Sequence, residues 1–256
     1  MTTALSHRLD RTLVIRARPQ TVFEFFNDSA QWATWWGAGS TIDARPGGQV
    51  LIRHPNGVEV TGEVLDVSRP QRIVFTYGYV SGTPIPLGSS RVTIRLDPHP
   101  QGTLLQLTHE FSEAAHRDPF VQGWRFQLSL FANAIATVVV GDGTDVVDRW
   151  FTAWNTADRA QREREFEALA SPAIRMEDKY SCLLGPEDLY THVAAIHQFM
   201  PGLRLERRGG VRRSQWTIIA DWAAVGAGDQ VRATGTNVFT FDADRRIVSV
   251  VGFWNA

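Results

Sequence analysis

A long helix is expected directly after a series of strand-like runs, and it constrains the fold of the first half more than any other feature. Asp118-Pro119 marks its start, because a capping residue there precedes a proline in the first turn. Its apolar residues recur at helical spacing and form one stripe, made by Phe120, Trp124, Leu128, Phe131 and Ile135. We therefore expect this helix to cover a sheet made by the strands before it.

Short strands separated by turns fill the region between residues 41 and 111. Turns with glycine or proline divide six runs, which are Thr41–Ala44, Gln49–His54, Val58–Val67, Arg72–Tyr79, Arg91–Leu96 and Thr103–Phe111. This pattern is typical of a meander of antiparallel strands. A strand at Thr12–Ala17 and two short helices precede it. We expect Ser29 to cap the second helix, which carries a cluster of tryptophans, Trp32, Trp35 and Trp36.

A second set of elements begins after a glycine-containing stretch, Val139–Asp145. We therefore predict a first domain at residues 1–138, a linker at 139–145 and a second domain at 146–256. Helices are expected from the apolar face between Val147 and Trp154, from the charged run 161–169 and after Gly185-Pro186. The strands expected in the second half are 174–179, Val211–Val225, Gln230–Phe241 and Arg246–Trp254. Both halves are thus predicted to be α+β.

Charge and composition exclude several classes of partner. The 256 residues include 26 basic and 27 acidic ones, so the formal net charge of −1 gives no attraction to nucleic acid. No segment approaches the roughly 20 apolar residues that span a bilayer, and the N-terminus lacks the apolar core of a signal peptide, so no membrane partner is expected. The single cysteine, Cys182, fits a reducing compartment, and we expect a cytoplasmic protein.

Aromatic residues are abundant, with nine tryptophans and 14 phenylalanines. Large aromatic side chains suit both thick hydrophobic cores and the walls of ligand pockets. The surplus therefore fits a protein that binds a small hydrophobic molecule, without deciding between core and pocket for any single residue.

Three segments of the first half carry a family resemblance, namely IRARPQTVFEFFNDSAQWATWW, GTLLQLTHEF and VQGWRFQLSLFANAI. They make the region from Thr12 to about Ala136 resemble the SRPBCC superfamily, especially its activator-of-heat-shock-ATPase (Aha-type) branch. The resemblance implies a helix-grip fold, in which a curved antiparallel sheet wraps on the long C-terminal helix. It also implies a hydrophobic cavity between sheet and helix, where family members hold ligands.

The walls of such a cavity come from one face of each strand. Alternation places Phe75, Tyr77 and Tyr79 on that face of one strand and His109 on that of another. Two interpretations of His109 are open, namely an acid, base or ligand anchor and a hydrogen-bonded core histidine. Tryptophans are also expected at the cavity, namely Trp32, Trp36 and Trp124.

Other motifs carry a second resemblance, namely AIRMED at 173–178, Gly185-Pro186-Glu187, VFTFD at 238–242 and Gly252-Phe253-Trp254. They make Val146–Trp254 similar to the nuclear transport factor 2-like superfamily, specifically to SnoaL-like polyketide cyclases and ketosteroid isomerases. The resemblance implies a cone-shaped α+β barrel with a curved antiparallel sheet. It also implies a homodimer through the second domain.

Ketosteroid isomerases use an aspartate as general base, and a tyrosine and a protonated aspartic acid donate hydrogen bonds to the enolate oxygen. The resemblance places Asp178 at the base, Asn237 at the second aspartic acid and Trp150 at the tyrosine. Asparagine can still donate a hydrogen bond. His192, on the apolar side of the helix after Pro186, is a further candidate acid or base. Aromatic residues are expected to line this pocket, namely Trp150, Trp154, Tyr180, Trp216, Phe239 and Trp254.

These assignments leave several functions open. One is a cyclase or isomerase that needs neither a metal nor an organic cofactor, in which Asp178 moves a proton. A second is a non-catalytic ligand-binding or stress-response module, and a third is an Aha-like chaperone-associated protein. Asp178 directed into a closed cavity beside Asn237 would favour the first, and a wholly apolar cavity would favour the second.

Overall fold

A computed structural model describes residues 4–255 and divides the chain into two compact units between Ala136 and Thr137. Both units combine helices with a mainly antiparallel sheet, which confirms the predicted α+β class. Four of the seven residues of the predicted linker 139–145 are helical, because one helix runs on to Val140 and the next begins at Thr144.

The first unit has the element order predicted for a helix-grip fold. It contains β1 (His7–Ile15), α1 (Pro19–Asn27), α2 (Ser29–Trp36), β2 (Thr41–Ile42), β3 (Gln49–Arg53), β4 (Glu59–Ser68), β5 (Arg72–Thr76), β6 (Gly78–Tyr79), β7 (Ser90–His99), β8 (Gly102–Phe111), α3 (Ala114–Arg117) and α4 (Phe120–Val140). Seven strands form an antiparallel path in the order β1-β8-β7-β5-β4-β3-β2, and β6 pairs with β4.

The sheet and α4 enclose the core of the first unit. Alternate residues of β8 are buried, so Leu105 and Leu107 share the inward face predicted for His109. The apolar stripe of α4 is buried at Trp124 and at Phe131, among other positions. Although α4 has 21 residues, no single helix in the described chain is long and apolar enough to cross a membrane, and only the bent pair Ala114–Val140 with Thr144–Asn155 meets that criterion jointly.

Helix α2 begins with a cap that differs from the predicted one. Asp28, not Ser29, is the capping residue, because its Oδ1 accepts the backbone N–H groups of Ala30 at 2.6 Å and Gln31 at 3.1 Å. The Ser29 hydroxyl instead bonds both backbone groups of Ile42, at 3.0 and 3.1 Å. Ser29 therefore fixes the start of α2 against β2.

The second unit contains α5 (Thr144–Asn155), α6 (Arg159–Leu169), β9 (Ala170–Glu177), β10 (Cys182–Leu184), α7 (Gly185–Phe199), β11 (Arg204–Ser214), β12 (Thr217–Val225), β13 (Val231–Phe241) and β14 (Ile247–Trp254). Its six strands follow the order β10-β9-β14-β13-β12-β11, and only β14 and β9 are parallel. Because β10 and β11 form two separate edges, the sheet is open and does not close into a barrel.

The expected strand Val211–Val225 is two strands of a hairpin. The chain reverses at Gln215, whose φ of 50° lies in the left-handed region, and Ser214 then pairs with Thr217. No glycine or proline marks this turn, so the run of strand-forming residues hides it.

The Asp28 cap gives a first prediction. We expect Asp28→Ala to lower the free energy of unfolding by about 1 kcal/mol, because two N–H groups of α2 lose their acceptor. Asp28→Asn keeps an acceptor oxygen and serves as the control. Urea unfolding followed by circular dichroism measures both, and equal stability of Asp28→Ala and the parent protein would contradict the assignment.

Candidate functional site

A cavity of ≈230 Å³ opens in the first unit between α2, the sheet and the first turns of α4. Its lining residues come from the end of α2, from the chain around β3, β5 and β6, from the loop before β7 and from the start of α4. They are Trp36, His54, Tyr77, Tyr79, Pro84, Pro119, Phe120, Gly123, Trp124, Phe126 and Gln127. Helical periodicity brings the last five together on two successive turns.

Behind this cavity, His109 is completely buried and links α4 to the sheet. The Trp124 indole N–H donates to His109 Nδ1 at 3.0 Å, and His109 Nε2 lies 2.9 Å from Ser90 Oγ. Because Nδ1 accepts, the proton of the neutral ring sits on Nε2 and is donated to Ser90. The Ser90 hydroxyl in turn donates to the carbonyl of Tyr77 at 2.5 Å.

Both ring nitrogens of His109 are therefore occupied by protein groups. Burial lowers the pKa of His109 from 6.5 to about 3, so the ring is neutral at physiological pH. This geometry corresponds to the hydrogen-bonded core histidine. His109 orients the Trp124 indole, and its ring also packs edge to face on two further lining residues, Tyr77 at 5.3 Å and Phe120 at 5.1 Å.

Trp36 and His54 form one end of the cavity. Their rings meet edge to face with centroids 5.8 Å apart, and Trp36 also packs edge to face on Trp124 at 5.7 Å. The indole nitrogen of Trp36 is buried and has no hydrogen-bond partner in the described part of the chain. Burial lowers the pKa of His54, which keeps this half-buried ring neutral.

The residues expected at this cavity divide into two groups. Trp36, Tyr77 and Trp124 line it, and so does Tyr79 from the same strand row. Trp32, Phe75 and His109 lie in the core, where the Trp32 indole donates to the Leu51 carbonyl at 3.1 Å and its ring packs on Phe75.

Loop residues and part of α4 were missed by the sequence reasoning. His54 and Pro84 lie outside regular strands, so alternation gives no signal for them. Phe126 and Gln127 flank the apolar stripe of α4. The one available signal was that they follow Gly123 by three and four residues, which places them on the same side of the helix as Gly123.

The second unit brings the predicted polar residues into one region, beginning with Asp178 in the turn between β9 and β10. Its Oδ1 accepts the backbone N–H of Tyr180 at 2.7 Å and the Ser181 hydroxyl at 2.8 Å. The Asp178 backbone N–H also donates to the Ser181 carbonyl at 2.9 Å. One carboxylate oxygen therefore holds the turn, and Oδ2 is left for other partners.

Asn237 and Asp178 both lie close to Gly252 on β14. A methyl group in place of the Gly252 hydrogen would lie 3.2 Å from Asn237 Oδ1 and 3.7 Å from Asp178 Oδ2. Asn237 is buried, and its Oδ1 accepts the Trp222 indole N–H at 3.1 Å. Because the oxygen is used in this way, the amide N–H₂ of Asn237 is the group that can donate elsewhere.

His192 lies within electrostatic reach of this pair. Burial lowers the pKa of His192, and the Asp178 carboxylate opposes that shift. Its ring meets Trp154 edge to face at 5.9 Å. The Trp154 indole nitrogen is buried without a partner in the described residues.

Other aromatic residues expected at this site are dispersed. Trp150 is core, with its ring against Phe166 at 5.2 Å and Phe239 at 5.8 Å. Trp216 lies at the turn between β11 and β12.

A short aromatic row reaches outward from Asn237. Trp222, which donates to Asn237, packs edge to face on Trp254 with centroids 5.0 Å apart, and Trp254 packs on Tyr180 at 4.9 Å. Tyr180 is 67% exposed, so the row ends at the surface.

Comparison with known proteins supports the resemblance of the first unit. Residues 16–136 match the family model described as activator of Hsp90 ATPase homolog 1-like protein, which confirms the predicted SRPBCC-type domain. No curated protein matches the chain. The family match and the cavity together support a small-molecule-binding protein.

Several solved structures are similar to about half of the chain. A protein of the SnoaL-like family from Agrobacterium tumefaciens is 22% identical, covering 44% of this chain and 96% of its own, with a TM-score of 0.43. Protein Ms6760 from Mycobacterium smegmatis is 22% identical, with coverages of 52% and 91% and a TM-score of 0.45. The AHSA1 protein from Silicibacter pomeroyi is 24% identical, with coverages of 51% and 98% and a TM-score of 0.42.

Buried, neutral His109 gives a prediction about pH. Its pKa is lower in the folded protein than the 6.5 of the unfolded chain, so between pH 6.5 and about 3 only the unfolded state binds the proton. Stability therefore falls as pH is lowered through this window, by up to about 1.4 kcal/mol per pH unit. Urea unfolding at pH 7, 5.5 and 4.5 should show this slope.

One variant separates His109 from other titrating groups. His109→Gln should be less stable at pH 7 but should lose part of the slope that the parent protein shows. An unchanged slope in His109→Gln would show that His109 does not titrate as described.

Proposed function

We propose that the protein binds a small, largely hydrophobic molecule in the cavity of the first unit. One observation carries the proposal, namely that six of the eleven residues lining the ≈230 Å³ cavity are tryptophan, tyrosine or phenylalanine. Concave aromatic surfaces with a few polar groups are the usual form of a ligand site. The volume lies just below the range of about 300–1,000 Å³ that drug-sized ligands occupy, so the expected ligand is small.

The expected affinity follows from ligand size. A ligand of about 13 non-hydrogen atoms that gains roughly 0.5 kcal/mol per atom binds with about 6.5 kcal/mol. This corresponds to a dissociation constant on the order of 10 µM. Such an affinity can be measured directly by calorimetry or fluorescence.

Gly123 offers a test of the cavity. A Cβ on Gly123 has no neighbour within 4 Å, and the residue lies at the cavity lining on α4. We expect Gly123→Leu to weaken binding of N-phenyl-1-naphthylamine at least tenfold by filling the entrance, while stability rises by up to about 1 kcal/mol because leucine is the better helix former.

Gln122→Leu is the matched control, since Gln122 is exposed on the same helix and does not line the cavity. Probe fluorescence gives the affinity and thermal unfolding gives the stability. Undiminished binding in Gly123→Leu, or no binding in the parent protein, would refute this location of the ligand.

A second candidate function is proton transfer next to a carbonyl group in the second unit. Asp178 Oδ2 and Asn237 flank Gly252, and His192 lies in the field of Asp178, which favours this function. In the proposed reaction Asp178 Oδ2 takes a proton from the carbon beside the carbonyl. The electron pair of that C–H bond forms the carbon–carbon double bond of the enolate, and the π pair of the carbonyl moves to its oxygen. The Asn237 amide donates a hydrogen bond to this oxygen.

Exchange of α-hydrogens for deuterium tests this reaction without knowledge of the natural substrate. We expect the protein to accelerate exchange in 2-tetralone in D₂O, measured by NMR, and Asp178→Asn to abolish the acceleration. Asparagine retains an oxygen for Tyr180 N–H and the Ser181 hydroxyl, so the melting temperature should change little.

Asp188→Asn provides the control, because Asp188 is a helix-start carboxylate that accepts the Leu184 N–H at 2.9 Å. It should leave the exchange rate unaltered. Retained exchange in Asp178→Asn together with a large loss of stability would reject Asp178 as the base.

A further inference from the structure

We propose that His54 makes binding in the cavity of the first unit depend on pH, so that an uncharged ligand leaves the cavity when the solution becomes mildly acidic. This regulation acts on the proposed ligand site and therefore rests on the proposed binding function. Three features support it, namely the position of the His54 ring, the lack of charge in the rest of the lining and the effect of a bound ligand on a half-buried ring.

The hairpin of β3 and β4 holds the His54 ring at the cavity. The His54 N–H donates to the Val58 carbonyl, and the His54 carbonyl accepts the Gly57 N–H, both at 2.9 Å. Burial alternates along this strand, so the ring follows Ile52 on the inward face, whereas Arg53 is exposed. Neither ring nitrogen of His54 has a hydrogen-bond partner among residues 4–255. The backbone therefore fixes the ring at the lining, and no protein partner fixes its protonation state.

The elements around the His54 ring carry almost no charge. None of the described lining residues is Asp, Glu, Lys or Arg. Helix α2 and the loop 80–88 contain no charged residue, and the one charged residue of α4, Arg125, is exposed. On the hairpin itself, Arg53 and Glu59 pair with each other at 2.8 Å, and both are largely exposed. A charge on His54 therefore has no opposite charge beside it in the cavity.

Two other lining residues can titrate, namely Tyr77 and Tyr79. Burial raises the pKa of both hydroxyls above the usual value of tyrosine, so both are neutral at pH 7 and below. His54 is then the residue of the described lining whose charge changes between neutral and mildly acidic pH.

A bound ligand makes the charged form of His54 less favourable. In the ligand-free protein the exposed part of the ring is hydrated, while burial of the rest lowers its pKa. A ligand that contacts the ring removes this remaining water, and an uncharged ligand offers no negative charge in return. The pKa of His54 therefore falls further when such a ligand binds.

The direction of the pH dependence follows from these two pKa values. Above both values His54 is neutral with and without ligand, so the affinity does not change with pH. Below the pKa of the ligand-free protein, the ring must lose its proton before an uncharged ligand binds, and the affinity falls by up to about tenfold per pH unit. An anion of the same size is attracted by the protonated ring, so its affinity rises over the same interval.

Two probes with one skeleton test this pH dependence, namely uncharged N-phenyl-1-naphthylamine and its sulfonate, 1-anilinonaphthalene-8-sulfonate. Fluorescence titrations between pH 7.5 and 4.5 give the affinity of each probe. We expect the affinity for the uncharged probe to fall at least roughly fivefold over this range, while the affinity for the sulfonate rises. Near-ultraviolet circular dichroism at each pH checks that the protein keeps its native fold.

His54→Gln removes the titrating ring and keeps a polar side chain. We expect its affinity for both probes to change less than about twofold between pH 7.5 and 4.5, because no lining residue then changes its charge. His7→Gln is the matched control, since His7 lies on β1 and does not line the cavity. It should keep the pH dependence of the parent protein, and thermal melting checks that both variants fold.

Each failure has a distinct meaning. If neither probe binds at pH 7.5, the proposed binding function itself is overturned. If the uncharged probe binds equally at pH 7.5 and 4.5, or if both probes lose affinity in parallel, the regulation is wrong while the function stands. If the loss of the uncharged probe persists in His54→Gln, another group titrates and the assignment to His54 is wrong.

Discussion

The cavity of the first unit depends on the buried hydrogen-bonded chain from Trp124 through His109 and Ser90 to the Tyr77 carbonyl. This chain joins the start of α4 to two strands of the sheet at the back of the cavity. Each polar group in this chain has a hydrogen-bond partner in a defined direction, and this gives the helix one preferred position on the sheet. A purely apolar contact there would tolerate sliding, and the walls formed by Trp36, Tyr77 and Trp124 would then lose their fixed spacing.

The two units use polar residues in different ways. At the cavity of the first unit, the Trp124 indole donates to His109 and the Gln127 amide to the Trp35 carbonyl, so these donors serve the protein itself. In the second unit Asp178 and Asn237 both lie beside Gly252, and His192 is within electrostatic reach of Asp178. One oxygen of Asp178 and the oxygen of Asn237 already have protein partners. The first arrangement suits recognition, and the second places a carboxylate oxygen near an amide donor.

Periodicity predicted much of the fold, because burial repeats regularly along elements that contact a core. The stripe of α4 and the alternation of β8 are examples, and both follow from residue spacing alone. The turn at Gln215 was missed since no glycine or proline marks it. The strand order of the second sheet and its two open edges could not be predicted, because pairing between distant strands leaves no local signal.

The candidate sites could be predicted less completely than the fold, because residue spacing shows which face a side chain is on but not how deep it lies. Tyr77 and Trp124 could be assigned from strand and helix faces, whereas Trp32 and Phe75 share those faces but lie deeper. Loop residues such as His54 and Pro84 join the lining only after the chain has folded, so spacing carries no information about them. In the second unit, family motifs located Asp178, but only the turn shows that Oδ1 is engaged.

That engagement has a stereochemical consequence. With Oδ1 held by Tyr180 N–H and the Ser181 hydroxyl, the turn fixes the plane of the Asp178 carboxylate and leaves Oδ2 outside the hydrogen bonds of the turn. In the proposed proton transfer, a base held in this way approaches a bound ketone from one side. The two hydrogens on the carbon beside the carbonyl are then no longer equivalent, and one prochiral hydrogen is removed in preference to the other.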